Sequence, residues 1–433
     1  MISENPSGKQ SERIPFKFPR LSANRGVGKQ GKEMRFAISG ASGFIGQSLI
    51  PEMSRQGCDL LLLGRDQSPL EVLFPDIQNA SYEALPKALE GIDIFVNLAV
   101  INNDSSCGLD RMMQVNADFA AELAQAAKTA GIKRFVNISS IHALNPDETR
   151  PYAVSKRAGV EAVDRVLGEV CTHVYLPAMI GPSFAGALRP LNSLPKPIAQ
   201  LAIGPLSALK PLLPVKELAD WVIEEAPQAG KHVILTSRQL GNAYYSFASR
   251  SLDIIAAIGG LAALSPLLLA TGLAIMAQRD GPAVFAQTRI GRYGKPFTCY
   301  KFRTMAVGTA QAGTHEVSGS AVTKLGARLR KWKIDELPQL WNVLKGEMSL
   351  IGPRPCLPSQ EELAQKRKEA GVLDIRPGIS GLAQIAGIDM SDPARLVEWD
   401  ARYISIRGLI LDLKLILMTA KGGGRGDRVA TSK

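Results

Sequence analysis

The chain has 433 residues, enough for two or three domains of about 100–200 residues each, so one compact unit is not expected. Its 51 Lys and Arg against 40 Asp and Glu give a formal net charge of +11, which calls for an anionic partner: nucleotide phosphates, nucleic acid or an acidic membrane surface. No basic-aromatic interleaving or reading helix occurs, which sets nucleic acid aside; the five cysteines lie far apart without a CxxC pair and the four histidines have no metal-ligand spacing, so neither a disulfide framework nor a zinc site is suggested and a reducing compartment fits.

Residues 1–33 are polar, basic and rich in Ser, Gly and Pro. Without an apolar core they are no secretory signal, and they read as a disordered arm drawn to anionic lipid. Met34 to Ser39 is strand-like, and GASGFIG follows at once, with Gly40, Gly43 and Gly46 around Phe44 and Ile45 at the mouth of a helix. Glycine there lets the backbone turn tightly and a pyrophosphate approach the helix N-terminus. A second apolar run, Asp59 to Leu63, ends in Gly64-Arg65. An acid at that strand end would hold the ribose hydroxyls of NAD, whereas Arg65 suits the extra phosphate of NADP, so NADP is preferred over NAD. Then come IDIFVNLA, ending at Ala99, a helix from Leu109 to Ala130, and a strand from Arg134 to Ser139. Tyr152 and Lys156 stand one helical turn apart, on one face. A lysine beside a phenol lowers its pKa, and a serine hydroxyl completes a proton relay to a carbon that exchanges hydride with nicotinamide.

Residues 34–235 resemble the extended short-chain dehydrogenase/reductase family, in particular its nucleotide-sugar epimerases and 4-ketoreductases. The resemblance rests on GASGFIG, NLA, Ser139-Ser140 and Tyr152/Lys156 together. It implies a Rossmann-type parallel sheet, cofactor contacts at Gly40, Gly43, Phe44, Ile45, Gly46, Arg65, Ala99 and Lys156, and catalysis by Ser140, Tyr152 and Lys156. Ser140 is favoured over Ser139 as the catalytic hydroxyl, with both left open. The segment that builds the sugar pocket in this family is brief here and rich in Pro and Leu, Ala199 to Val215. A cofactor-binding or oligomerisation module without turnover is therefore the alternative.

From Ile254 to Gln278 no residue is charged, which matches the ~20 apolar residues that cross a bilayer. Ser265-Pro266 breaks the run near its middle, where proline removes a backbone hydrogen bond. A re-entrant hairpin over 248–280, with Arg250 and Arg279 at the headgroups of one face, is the expectation. Beyond it, Arg289, Arg292, Lys301, Arg303, Arg354 and Arg376 lie on basic turns able to surround a diphosphate, with the acid pair Asp335-Glu336 between them. Leu409 to Ala420 is apolar but for Asp412 and Lys414, which suits a helix lying at the membrane interface.

Residues 248–429 resemble the bacterial sugar transferases, the small monotopic polyprenyl-phosphate phosphoglycosyl transferases. The matching pieces are the Ser265-Pro266 break, KFRTM, DELPQLWNVLKGEMSLIGPRP and RPGISGLAQ. The resemblance implies that Asp335 is a nucleophile on the β-phosphate of a UDP-sugar and that Glu336 holds Mg²⁺. It also implies that Lys301, Arg303, Arg354, Arg376 and Asp400 line the phosphate site, and that undecaprenyl phosphate accepts the phosphosugar. IAGIDMSDP and the GGGRGDRV tail resemble members acting on N-acetyl 6-deoxy-hexosamines. The expected architecture is α/β: a Rossmann-type domain over 34–240, the re-entrant hairpin, and a mostly helical monotopic transferase domain over 281–433. The expected place is the cytoplasmic face of the inner membrane, and the oligomeric state, a homodimer included, is left open.

Overall fold

The computed structural model describes residues 16–17, 34–102, 107–278, 281–309 and 321–423. The remainder of the basic arm, Arg279 and the end of the GGGRGDRV tail lie outside the described residues. The chain divides into two compact units, Met1–Ala187 with Leu213–Leu235, and Leu188–Leu212 with Thr236–Lys433.

The first unit is built on an eight-stranded sheet. From one edge to the other it runs Phe16–Lys17, His232–Ile234, Cys171–Leu176, Arg134–Ser140, Ile94–Asn97, Arg35–Ser39, Asp59–Gly64 and Gln78–Ser81, and every pair is parallel. Its strands read as continuous apolar runs, such as DLLLLG and IFVN, because helices cover both faces of a parallel sheet. Side chains of one strand alternate between the two faces. Phe36 and Ile38 accordingly pack with Leu49 and Met53 of the helix Phe44–Arg55 and with Val222 of Val215–Glu224. Ala37 packs on the other side with Leu123 and Ala127 of Phe119–Thr129 and Val163 of Pro151–Leu167. Two residues of the arm expected to be disordered, Phe16 and Lys17, form the edge strand.

Arg35–Ser39 lies between strands that follow it in opposite directions across the sheet, which makes its C-terminal end the switch point where open α/β sheets bind ligands. The domain expected over 34–240 is not continuous, however: Leu188–Leu212 belongs to the second unit. Proline and leucine-rich, it has little to offer a parallel sheet and instead forms the helix Lys196–Leu209.

In the second unit the helix Ala243–Ala263 stops at Leu264 and a second helix, Ser265–Met276, begins with Pro266 in its first turn. Ser265 Oγ donates to the Ala262 carbonyl at 2.8 Å, filling an acceptor that proline leaves open. The first helix is long and apolar enough to cross a membrane; the second, with 12 residues, is not. The rest of the unit is an antiparallel hairpin, Val284–Ile290 with Pro296–Phe302, a two-stranded parallel ladder, Ser349–Ile351 with Gly378–Ser380, and short helices. Both apolar helices are tied to this framework. A Cβ at Gly260 would lie 3.0 Å from Leu340, and one at Gly272 would lie 4.0 Å from Phe302.

Candidate functional site

In the first unit the glycine turn closes on the neighbouring strand end. Gly40 has φ +70°, and a Cβ there would lie 2.6 Å from the backbone of Leu98 and Ala99, so only glycine brings the turn against Ala99. A Cβ on Gly46 would lie 2.3 Å from the Ala41 carbonyl, which explains the third glycine by the approach of the helix to its own turn. Gly43 caps the helix that contains Phe44, Ile45 and Gly46. Gly40 N–H donates to the Tyr82 hydroxyl at 3.3 Å; burial pushes that phenol up while the Arg65 charge draws it down. Arg65 is thereby brought near the turn, exposed just beyond the strand Asp59–Gly64.

Lys156 is buried, donates to the Ile138 carbonyl at 2.9 Å, and has its ammonium pushed down by burial to about 8. That bond holds it against the strand whose end carries Ser139 and Ser140. The Ser140 hydroxyl accepts from His142 N–H at 3.3 Å, whereas the Ser139 hydroxyl is buried without a hydrogen-bond partner. Tyr152 stands in the first turn of the same helix as Lys156, half-buried.

A chain of polar residues beneath the turn was not legible in the sequence. Ser39 donates to Asn97 at 2.7 Å, Asn97 to Asn137 at 3.1 Å, and Asn137 meets His173 at 3.2 Å. Asn97 Oδ1 also accepts from Ala99 N–H at 3.2 Å, so it orients the residue opposite Gly40. Each of these polar residues lies in a strand that otherwise reads as plain core.

In the second unit the acid pair forms a single 3-10 turn, Ile334–Glu336. Lys333, which enters it, has φ +56°, a left-handed conformation that costs a non-glycine residue roughly 1–3 kcal/mol and gathers at functional sites. Glu336 Oε1 lies 3.1 Å from Lys301 Nζ and 2.7 Å from Arg354 Nη2. Asp335 is buried, and its carboxyl is raised by burial and then by the Glu336 charge, while Lys301, Arg330 and Arg354 oppose the rise. Among the described residues no group of three or more His, Cys, Asp and Glu gathers as a metal cage. Mg²⁺ does not need one, since it keeps its waters and takes one or two carboxylates with substrate phosphate oxygens. Glu336 with Asp335 beside it fits that donor set.

Three features hold this arrangement. Asn342, on the helix Gln339–Lys345, accepts from Tyr300 N–H at 3.2 Å and donates to the Thr298 carbonyl at 2.7 Å. It thereby locks the strand of Lys301 to the helix that follows Glu336. The Gly352 and Gly378 backbones touch: a Cβ on Gly378 would lie 2.1 Å from Gly352 N, so IGPRP and RPGISG stack only because both positions are glycine. Arg367, 1% exposed, donates to Asp400 Oδ2 at 3.0 and 2.6 Å and to the Arg354 carbonyl at 2.7 Å.

The other residues expected at the phosphate site are held as follows. Asp400, expected to line the phosphate site, is 2% exposed and bound to Arg367; it supports Arg354 from behind. Arg289 donates through Nε and Nη2 to the Gln287 side-chain oxygen and through Nη1 to the Pro355 carbonyl, and Arg292 donates to the Asp374 carbonyl. Arg376 donates through Nε to the Gly346 carbonyl at 2.9 Å, beside Arg250, which donates to the Val343 and Leu344 carbonyls. The two arginines finish the end of Gln339–Lys345, where cations suit the helix dipole. Arg303 donates to the Pro282 carbonyl at 2.9 Å. Arg330, in a helix dense with basic residues, carries no distinguishing signal in the sequence. Its Nε donates to Thr304 at 3.0 Å and its Nη1 is buried without a partner, next to Asp335, where an incoming phosphate oxygen would satisfy it.

Comparison with known proteins adds two family matches, the bacterial sugar transferases over residues 244–424 and the NAD dependent epimerase/dehydratase family over residues 36–222. One relative is the UDP-glucose:undecaprenyl-phosphate glucose-1-phosphate transferase of Caulobacter vibrioides, 36% identical over 47% of this chain and 79% of that protein. Another is the UDP-N-acetylgalactosamine-undecaprenyl-phosphate N-acetylgalactosaminephosphotransferase of Aeromonas hydrophila, 34% identical over 49% of this chain. This chain spans about half, 52%, of that relative's length. Among solved structures, UDP-N-acetylglucosamine 4-epimerase from Bacillus cereus aligns with a TM-score of 0.38 at 17% identity, over 51% of this chain and 85% of that one.

Proposed function

The chain belongs to the bacterial sugar transferase family, with an epimerase/dehydratase-type region preceding the transferase, and on that premise we propose that it loads a phosphosugar from a UDP-sugar onto undecaprenyl phosphate. The observation that carries this reading is the buried Asp335 beside Glu336, whose carboxylate is gripped by Lys301 and Arg354. Asp335 attacks the β-phosphorus of the UDP-sugar; the bond to the bridging oxygen breaks, and UMP leaves with its electron pair. The phosphosugar stays on the aspartyl oxygen until an oxygen of undecaprenyl phosphate attacks the same phosphorus and frees the carboxylate. Lys301, Arg330 and Arg354 meet the phosphate charge with donors already in place. Mg²⁺, held by Glu336, supplies neutralisation of the diphosphate.

The first unit then acts as a reductase or epimerase at C4 of the nucleotide sugar. The turn of Gly40, Gly43 and Gly46 takes the pyrophosphate, Arg65 selects NADP, and Tyr152 with Lys156 and Ser140 moves the proton. Bound nicotinamide supplies or accepts the hydride. The resemblance of IAGIDMSDP points to an N-acetyl 6-deoxy-hexosamine as the sugar, at the start of a polysaccharide or O-antigen repeat. One observation favours the second reading, a first unit that binds cofactor without turnover: of the stretch expected to wall the sugar pocket, Ala199 to Val215, all but the last three residues belong to the other unit.

A re-entrant hairpin is supported by Gly260 against Leu340 and Gly272 against Phe302, since a straight crossing would carry one of these glycines away from the rest of the unit; its placement at the cytoplasmic face follows from the proposed nucleotide substrates. The test of the transferase is Asp335→Asn in detergent with Mg²⁺ and undecaprenyl phosphate. UMP release from the UDP-sugar should fall by about 10⁴-fold or more, and release near the wild-type rate removes Asp335 from the nucleophile's role.

A further inference from the structure

The helix Lys196–Leu209 carries no charged residue between Lys196 and Lys210, and its apolar side chains point the wrong way for a soluble protein. Ile198, Leu201, Pro205 and Leu209 recur at helical spacing and all are exposed, Leu201 at 71%, while the small residues Ala199 and Ala208 face inward. Gly204 makes the inward contact: a Cβ there would lie 2.5 Å from the Tyr244 ring, at the start of the apolar helix Ala243–Ala263. At the other end, a Cβ on Gly408 would lie 2.7 Å from the Leu209 carbonyl, at the start of the helix Leu409–Ala420.

That last helix is inverted in the same way. Asp412 is buried, accepting from Tyr245 and Tyr403 at 2.8 Å each, whereas Ile410, Leu413 and Leu417 are exposed. On Ala243–Ala263, Phe247, Ile255 and Ile258 are exposed, and Asp253 is turned inward to Ser349 and Leu350. Two of these three adjoining helices keep their single acid inside, and all three leave large apolar side chains outside. A soluble surface does the reverse.

We propose that Lys196–Leu209 is a membrane-seated helix that lies in the headgroup and upper acyl region of an anionic bilayer. Resting on the reading of the second unit as a monotopic transferase, the inference extends its membrane footing to a segment outside the matched transferase region, residues 244–424. Lys196, Lys210 and the exposed Arg189 bracket the apolar stripe, where they meet anionic headgroups. The occupant is lipid rather than another protein because the exposed stripe is purely apolar, is bordered only by cations, and continues onto two further helices of the same inverted pattern.

The experiment uses the full chain with Cys58 and Cys107 replaced by serine, the other three cysteines being buried. Single cysteines at Leu201, at Ile255 as the hairpin reference and at Val72, exposed in the first unit, are labelled with bimane. Each is reconstituted in vesicles of phosphatidylcholine containing a quarter phosphatidylglycerol, with the phosphatidylcholine brominated in its upper acyl chain. The expected result is quenching at 201 comparable to that at 255 and none at 72. A quenched 255 with an unquenched 201 overturns the inference and leaves the monotopic reading intact; an unquenched 255 overturns that reading itself. Leu201→Glu, folded by circular dichroism, should lower the fraction of chain floating with these vesicles several-fold, and unchanged flotation counts against the helix.

Discussion

In the proposed transfer Asp335 is the attacking group, and its neighbours tune it. An anionic carboxylate is needed to attack phosphorus, yet burial and the adjacent Glu336 both favour its protonated form. Because the folded-state carboxyl is raised, the rate of UMP formation should fall as pH drops through a range above that of an ordinary carboxylate. Lys301 and Arg354 also touch Glu336, so neither can be removed without disturbing the proposed metal ligand. Arg330 can be, since its Nε donates to Thr304. Arg330→Gln removes a cation that favours the charged form and a donor proposed to meet the phosphate, so the acidic limb of the pH–rate profile should move to higher pH and the plateau should fall below wild type. A limb that stays in place or moves to lower pH would show that Arg330 does not act on the proposed nucleophile.

At the scale of elements, the second unit's site depends on two loops meeting at backbone distance. Gly352 and Gly378 both face peptide atoms rather than side chains, so neither partner has a flexible end to move aside. Gly378→Ala should therefore destabilise the unit by about 1–3 kcal/mol or more and displace Arg354, seen as a lower melting temperature together with lost UMP release. Wild-type stability would mean the loops part without cost. Legibility follows the same division. Strands, glycine turn and acid pair could be read because each shows locally, as apolar runs, as turn chemistry, or as adjacent charges. Arg367 and Asp400 could not, because a fully buried ion pair formed by residues 33 apart looks in sequence like two ordinary surface charges on two helices. The same holds for the Asn97, Asn137 and His173 chain, whose members pair across strands and leave no local pattern.

At the scale of the whole molecule, the chain passes between its two units three times, after Ala187, after Leu212 and after Leu235. The sequence suggested one domain after another, since the short turn-rich stretch near residue 200 has the composition of a degraded pocket loop; its helix and its tertiary partners, Tyr244 and Gly408, lie beyond the reach of local pattern. A consequence is that cutting the chain near 240 would strip Lys196–Leu209 from the unit it packs in, so the two proposed activities must be separated by point substitutions. Each proposed centre draws its residues from a single unit: Ser140, Tyr152 and Lys156 from the first, Lys301, Asp335, Glu336 and Arg354 from the second. Tyr152→Phe removes a phenolic proton and no packing volume of consequence, so it should lower turnover of a UDP-4-keto-sugar with NADPH by about 10²–10⁴-fold while UMP release stays unchanged. Asp335→Asn should do the opposite. If Tyr152→Phe leaves the keto-sugar reaction at the wild-type rate, or if the wild-type chain binds NADPH and turns nothing over, the first unit is a cofactor-binding module and the family's transferase chemistry alone is the activity of the chain.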